Sequence, residues 1–503
     1  MIGGSLRHTL TRSCAVLVCA AGVPALTLIL IHALYGVPLS AFRPVLNDEV
    51  AYWHQASTFA HAGFRGGYYT LAEATNPSGF TPFGPHGPGF AVLYGAFGAV
   101  FGWHRHSTVL LNLLVIAAAA WVWTALARAS TARLLVGGLA LVTFWHVLFW
   151  APTGMQESLH HAGAIALAAL FASALNGTAS RAVTIAGWIM IGVLSFVRPS
   201  WVVVLPAWAW VASRQARPAV VVATVLGSII VAALIVAAYS RTTAPFATGF
   251  FFLRALNLSS AWGAIVENVT FNLQRTVMLD EYQALEILHR VQYWCFFAAI
   301  TALAAAAYRK RRTRSDDASP HLLVSAFVMS GALALMLLLY TLTNWAEHRV
   351  LSAFLLFGTM LCVAAPGRAP VALVLVLVVS NVFSANVFLA SFADDHRDRF
   401  VWDRRGVYAL EETLARRVAY RADRPRWCNT LLTSQYPPYM IAVPAGIGLS
   451  VVREPDQLHL PPRSRYLLLD EPARAAMEAS LHLDAIASLP YGTLYRNLDA
   501  ACQ

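Results

Sequence analysis

Charge is what this sequence has least of. Of 503 residues only 12% are Asp, Glu, Lys or Arg, about half the roughly 25% usual in a soluble globular domain. The deficit lies along long apolar runs, which argues against a soluble enzyme and for a polytopic membrane protein. Lysine is nearly missing: Lys310 stands alone, so arginine carries the net charge of +11. Basic runs are missing too, apart from "RKRRTR" at 309–314 between two apolar segments, which leaves no surface suited to nucleic acid. Of six cysteines, Cys14, Cys19, Cys295 and Cys362 fall in apolar segments, where a thiol behaves as a small hydrophobe. Cys428 and Cys502 fall in the C-terminal part, and their pairing would suit an oxidising compartment. No internal repeat or low-complexity segment is present.

What the sequence has in abundance is helix-length apolar segments. About 20 apolar residues cross a bilayer, and the runs predict an α-helical polytopic membrane protein of about 11 transmembrane helices: 14–35, 107–127, 133–150, 158–175, 183–197, 200–213, 218–239, 290–308, 321–343, 350–365 and 370–390. The first is longer than the roughly 7–15 residues of a signal-peptide core and reads as an uncleaved span. "VRPS" at 197–200 interrupts the short pair 183–213, which is either a hairpin or one kinked span. Residues 88–102 are apolar but too short to span, and read as a helix lying on the outer membrane surface; 50–62 and 259–275 read as similar interfacial helices.

Orientation follows from the arginines, which favour cytoplasmic loops. A cytoplasmic N-terminus puts Arg7, Arg12, Arg128, Arg133, Arg181, Arg214, Arg217, the 309–314 run and Arg368 inside. The expected location is a bacterial-type inner membrane. Residues 1–390 form the membrane domain, and 391–503 a small extracytoplasmic α/β domain. The latter has short β-type runs at 429–434, 449–453 and 465–470 and a helix near 404–419. Of eleven acids before residue 391, only Asp316 and Asp317 fall inside; Asp48, Glu49, Glu73, Glu157, Glu267, Asp280, Glu281, Glu286 and Glu347 lie in or beside outer loops. Acids contribute little to topology, so their gathering on one side needs another cause.

Four outer stretches hold candidate chemistry: "NDEVAY" (47–52), "NPSGFTPFGPHGPGF" (76–90) with His86, "APTGMQES" (151–158) with Glu157, and "NWAEHR" (344–349) with Glu347, His348 and Arg349. "FVRP" adds Arg198 at a helix break. Asp48 can also serve simply as a helix N-cap, and His86 as a solvated loop residue. His54, His61, His160 and His161 carry no metal signal by spacing. Charged groups at helix ends inside a membrane face a cavity or a partner. Carboxylates with arginines at the mouth of a helical bundle suit group transfer from a lipid phosphate: a carboxylate takes the acceptor's proton and arginines neutralise the departing phosphate.

In order and placement these residues resemble the GT-C superfamily of membrane glycosyltransferases, which includes protein O-mannosyltransferases and lipid A aminoarabinose transferases. The resemblance rests on "DE" in the first outer loop shortly before Tyr52, on "HGPGF" leading into a surface helix, on Glu157 after the third span, and on "SFVRPSW" (195–201) and "EHRVLSAF" (347–354). It spans about residues 14–390; "HGPG" stands where many relatives have a double proline, and Glu157 where Asp is frequent. It implies inverting transfer from a polyprenyl-phosphate-linked sugar to a lipid, glycan or protein acceptor on the outer face. By position Asp48 would be the general base, Glu49 and Glu157 would orient the acceptor, and His86, Arg198 and Arg349 would bind the donor phosphate. Tyr52, Glu347 and His348 would line the cavity. In relatives that use a metal such acids, here Asp48 and Glu157, help hold a divalent cation; no other cofactor is implied. A secondary transporter would place ionisable groups near the midplane of related halves, and a non-catalytic scaffold would tolerate Asp48→Asn.

Overall fold

A helix satisfies every backbone N–H and C=O within itself, which makes it the economical conformation for an apolar run in lipid. The computed structural model describes residues 2–45, 47–71, 73, 80–84, 86–242, 258–277, 284–310, 318–339, 349–401, 405–434, 437–452, 462–478, 480–489 and 492–502. Its first ten helices are α1 (Ile2–Tyr35), α2 (Asn47–Ala62), α3 (Pro88–Phe101), α4 (Ser107–Leu126), α5 (Thr131–Thr143), α6 (Trp145–Trp150), α7 (Glu157–Leu175), α8 (Arg181–Val197), α9 (Val204–Ser213) and α10 (Pro218–Thr242). Leu258–Val277, Ala284–Lys310, Ser319–Leu339, Arg349–Ala364, Ala369–Phe383 and Ala385–Asp395 follow.

Among the described residues six helices are long and apolar enough to cross a membrane, and Ala369–Phe383 with Ala385–Asp395 meets the same criterion as a pair bent by 60°, the geometry of a broken span or a re-entrant loop. The protein is an integral membrane protein. Four further segments expected to span, α5, α8, α9 and Arg349–Ala364, are apolar but shorter. Sixteen residues at 1.5 Å each reach about 24 Å, against a hydrocarbon core of about 30 Å. Helix α7 is the centre of the bundle: all of it except Leu159 and Ala174 is buried. Val220, Val222, Ile230 and Leu234 on α10, and Val376, Val379 and Val382 on the bent pair, are exposed, as lipid-facing residues should be.

The 183–213 segment is two helices. Arg198 is extended (φ −148°, ψ 121°) between α8 and a 3₁₀ turn, Pro199–Val203, that leads into α9. A Cβ at Gly187 would lie 2.2 Å from the Trp208 ring. These residues sit nearly equal distances before and after Arg198, so the two helices pack side by side as a hairpin with Arg198 at its tip.

At one end of the bundle three arginines cap carbonyls. Arg12 donates to Ala129 O, Arg133 to the carbonyls of Val363, Ala365 and Gly367, and Arg214 to those of Ala174 and Leu175. Helix α7 starts with Glu157 at the opposite end.

That opposite end carries the segment between α1 and α4 and the C-terminal sheet. Strands β1 (Tyr69–Leu71), β2 (Thr430–Thr433), β3 (Gly448–Val451), β4 (Tyr466–Leu469), β5 (Leu483–Leu489) and β6 (Gly492–Asn497) form one sheet in the order β1-β3-β2-β4-β6-β5. Strands β1 to β4 pair in parallel, and β6 is antiparallel to both β4 and β5. The expected β-type runs became β2, β3 and β4, and the expected helix is Arg405–Arg417. Strand β1, however, comes from the segment between α2 and α3, so the sheet ties that segment to the C-terminal region. Glu73 fastens the same joint by accepting from the Arg463 and Ser464 amides and the Ser464 hydroxyl. Cys428 and Cys502 are joined in a disulfide.

Two of the three expected surface helices leave apolar side chains exposed. On α3, Leu93, Val100 and Phe101 are exposed, and Leu258–Val277 leaves Trp262 and Val266 bare. The third, 50–62, is a correction. It lies within α2, whose residues 52–58 are all buried between α3 on one side and Met440, Ile441 and Val443 on the other.

Burial of α2 has a pH consequence. His54 is fully buried with Nδ1 2.8 Å from the Tyr69 hydroxyl, and burial pushes it down to about 4 from an ordinary 6.5. Between those values the unfolded chain binds a proton that the fold refuses, so stability falls as pH drops from 6.5 to 4. The expected loss is about 3 kcal/mol, at about 1.4 kcal/mol per pH unit. Unfolding of the detergent-solubilised protein across that range checks it. His54→Gln should flatten the pH dependence, and an unchanged slope in the variant would assign the effect to other groups.

Candidate active site

Five charged or titratable side chains from five separate segments form an alternating row at the mouth of the bundle. His86 Nε2 lies 3.7 Å from Asp48 Oδ1. Asp48 Oδ2 accepts from Arg349 Nη2 at 2.9 Å. Arg349 Nε is 3.0 Å from Glu157 Oε1, and Arg198 Nη2 donates to that same oxygen at 2.8 Å. The row runs from partly open, with the Asp48 side chain 36% exposed, to buried, with that of Glu157 at 1%.

Each member is placed by local structure. Asp48 is in the first turn of α2, and Tyr52, one turn on, is buried with its ring edge-on to His86 at 4.8 Å. His86 precedes Gly87, whose φ of +78° suits glycine. A Cβ at Gly89 would meet the Val197 backbone at 2.7 Å, so only glycine lets α3 begin against the end of α8, beside Arg198. Glu157 opens α7, where negative charge suits the helix dipole. Arg349 opens its own helix and lies over the Trp150 ring at 5.6 Å; a cation over an aromatic face is held there.

Charge fixes the protonation states outside the membrane-spanning helices. Burial pushes the Asp48 carboxyl up, but His86 and Arg349 outweigh it and hold the group well below the usual carboxylate range. Asp48 is therefore ionised at any physiological pH. Burial, with Asp48 and Glu157 adding to it, pushes the Tyr52 phenol well up, so it keeps its proton.

Glu49 is placed apart from this row. It is fully buried and accepts from Gly154 N at 2.6 Å, Val45 N at 3.1 Å and Arg399 Nε at 3.2 Å to each oxygen. Arg399 Nη1 donates to His396 Nδ1 at 2.8 Å, and His396 Nε2 then donates to Phe149 O at 2.7 Å. Arg43 N donates to Arg399 O. Glu49 thus ties the segments before α2 and before α7 to the turn that follows the last span. Glu347 and His348 lie outside the described residues. Arg399 and His396 were missed because their partners are far away in sequence; Trp150 was missed because its apolar neighbours hide it.

The donor set as it stands does not fit a divalent cation. Arg349 bridges Asp48 and Glu157, and among the described residues no three His, Cys, Asp or Glu side chains converge. Glu157 Oε2 has no hydrogen-bond partner among the described residues, which leaves one carboxylate oxygen beside two guanidinium groups.

No family model matches the sequence, and no curated protein matches it. Solved structures do. ArnT from Cupriavidus metallidurans bound to undecaprenyl phosphate aligns with a TM-score of 0.51 at 14% identity, covering 96% of this chain and 100% of that one. The oligosaccharyltransferase of Archaeoglobus fulgidus in complex with Zn and sulfate aligns at 0.46 and 13% identity, over 95% of this chain and 74% of that one. Apo ArnT aligns at 0.40 and 13%, over 96% and 98%. At the level of the fold, the chain is similar to ArnT.

Proposed function

We propose that this protein is a membrane glycosyltransferase that moves a sugar from a polyprenyl-phosphate donor to an acceptor on the outer membrane face, inverting the anomeric carbon. One observation carries the reading: an ionised carboxylate, Asp48, stands at the open end of a row whose inner members are two arginines held by a buried acid. Asp48 takes the proton from an acceptor hydroxyl or amine as that atom bonds to the anomeric carbon. The bond from that carbon to the phosphate oxygen breaks, and its electron pair leaves with the polyprenyl phosphate. Arg198 and Arg349 neutralise the charge that builds there, and His86 lies within reach of the same group. Tyr52 and Glu157 shape the cavity, and Glu49 holds Asp48 in place from behind.

The same contacts explain how a strongly acidic carboxyl serves as a base. Arg349 grips Asp48 in the donor-free state. A guanidinium has five N–H donors, and a phosphate that draws on them loosens that grip and raises Asp48's basicity when the leaving group is in place. The fold likeness to a protein seen with undecaprenyl phosphate supports a lipid phosphate as the leaving group. In this reading residues 1–390 are the catalytic membrane domain and 391–503 the extracytoplasmic one, joined through β1 and Arg399. The end that carries Arg12, Arg133 and Arg214 faces the cytoplasm together with the N-terminus, and the disulfide supports an oxidising compartment for the other.

The test compares envelope lipids and glycans by mass spectrometry in a deletion strain and its wild-type complement. A sugar-sized mass present only with the protein is the expected result, and it identifies both sugar and acceptor. Identical profiles, together with no sugar release from a polyprenyl-phosphate-sugar by purified protein, would turn the assignment towards transport or scaffolding.

A further inference from the structure

Two buried histidines on α7 carry no role in the row described above, although they follow its buried acid directly. His160 and His161 are three and four residues beyond Glu157, hence on the same face of the helix, and both are fully buried. Each meets the segment that presents one of the two arginines. Trp201 Nε1 donates to His160 Nδ1 at 2.9 Å, and Trp201 N donates to Arg198 O. His161 Nε2 lies 2.8 Å from Ser352 Oγ, and Ser352 Oγ donates to Arg349 O at 2.5 Å.

The directions of these bonds fix opposite roles. An indole N–H only donates, so His160 must accept at Nδ1 and carry its proton on Nε2. The Arg349 carbonyl only accepts, so Ser352 spends its single proton there, and His161 must donate from Nε2. Arg198 is the extended residue at the hairpin tip and Arg349 the first residue of its helix, and α7, buried except at Leu159 and Ala174, faces the segments that carry both. We infer that His160 and His161 are positioning residues that fix the Arg198 and Arg349 backbones, through Trp201 and Ser352, at the spacing a lipid phosphate requires. One helix face then carries the acid that grips both guanidinium groups and the two imidazoles that set where those groups start. The inference rests on the transferase reading for what the arginines bind, and on geometry alone for how they are held.

Opposite roles give a crossed substitution pattern. A glutamine amide reaches about as far as Nε2 and an asparagine carbonyl about as far as Nδ1. His161→Gln therefore keeps the donor to Ser352 while His161→Asn loses it, and His160→Asn keeps the acceptor for Trp201 while His160→Gln loses it. The measurement is binding of undecaprenyl phosphate to the full-length protein in lipid nanodiscs, with thermal unfolding alongside. For His160→Gln and His161→Asn the dissociation constant should rise about 10–100-fold, the loss that removing a hydrogen-bond partner causes when the side chain it orients is a metal ligand. His160→Asn and His161→Gln should stay within a few-fold of wild type. Similar unfolding temperatures within each pair would separate positioning from general packing. Equal affinities for Asn and Gln at either site, whether both weak or both strong, would overturn the inference and leave the transferase reading intact. Failure of the wild type to bind undecaprenyl phosphate would instead remove the transferase reading, and this inference with it.

Discussion

Asp48→Asn is expected to insert and fold normally while losing about 10²–10⁴ in transfer rate, the usual worth of a positioned base. Asparagine keeps the shape of aspartate, and Asp48 lies within the first turn of α2 and not at its N-cap, so α2 should begin where it does now. Arg349 keeps Glu157 at 3.0 Å and Trp150 beneath it, so the cation is not left bare. Removing the Asp48 charge also removes a competitor for Arg349, and undecaprenyl phosphate should bind the variant as tightly as wild type or more tightly. The expected signature is therefore a fall in kcat without a rise in KM for the donor. Replacing an arginine should give the reverse weighting, because Arg198→Gln weakens the hold on phosphate in the ground state as well as in the transition state. Near-normal turnover by folded Asp48→Asn protein would remove Asp48 from the base role.

Asp48, Glu157, Arg198 and Arg349 were legible in the sequence because ionisable residues are so few. At the ends of apolar segments each one needs a partner or a cavity, and the four turn out to be one another's partners. The distinction between Asp48 and Glu49 was not legible. Successive residues on a helix point about 100° apart, so one of the two faces the cavity and the other the interior, and only the position of Arg399 decides which. That arginine lies 350 residues from Glu49, in a charged stretch where one more arginine carries no signal. Strand β1 was hidden for a similar reason: three residues in a glycine-rich loop become a strand only because β3 lies beside them. His160 and His161 offered spacing without a partner, since composition cannot say that a tryptophan and a serine from other helices will meet them.

Replacing Arg399 by leucine is expected to destabilise the protein by about 3–5 kcal/mol, the range for removing one partner of a buried ion pair. Arg399 and Glu49 are both essentially inaccessible, at 1% and 0% side-chain exposure. Without the guanidinium, Glu49 keeps the Val45 and Gly154 amides, which offset only part of the cost of holding a carboxylate away from water. The double variant Glu49→Gln with Arg399→Leu removes both charges and should recover much of the loss, since a buried pair replaced as a pair is often near neutral. A coupling of at least about 1.5 kcal/mol in the double-mutant cycle is expected, as for directly touching groups. The effect should reach the site as well as the fold. Glu49 is adjacent to Asp48, and Gly154 stands three residues before Glu157, so slackening this tie frees both acids of the row at once. Transfer per folded molecule should therefore fall in Arg399→Leu at temperatures where the protein is still folded. Unfolding transitions and turnover measured on the same detergent-solubilised samples decide it. An unfolding midpoint within a degree of wild type would mean that the Glu49–Arg399 pair does not hold the two ends of the site together. Lost stability with unchanged turnover per folded molecule would mean that Asp48 and Glu157 are held by the row itself, through Arg349, and that the tie behind them serves folding alone.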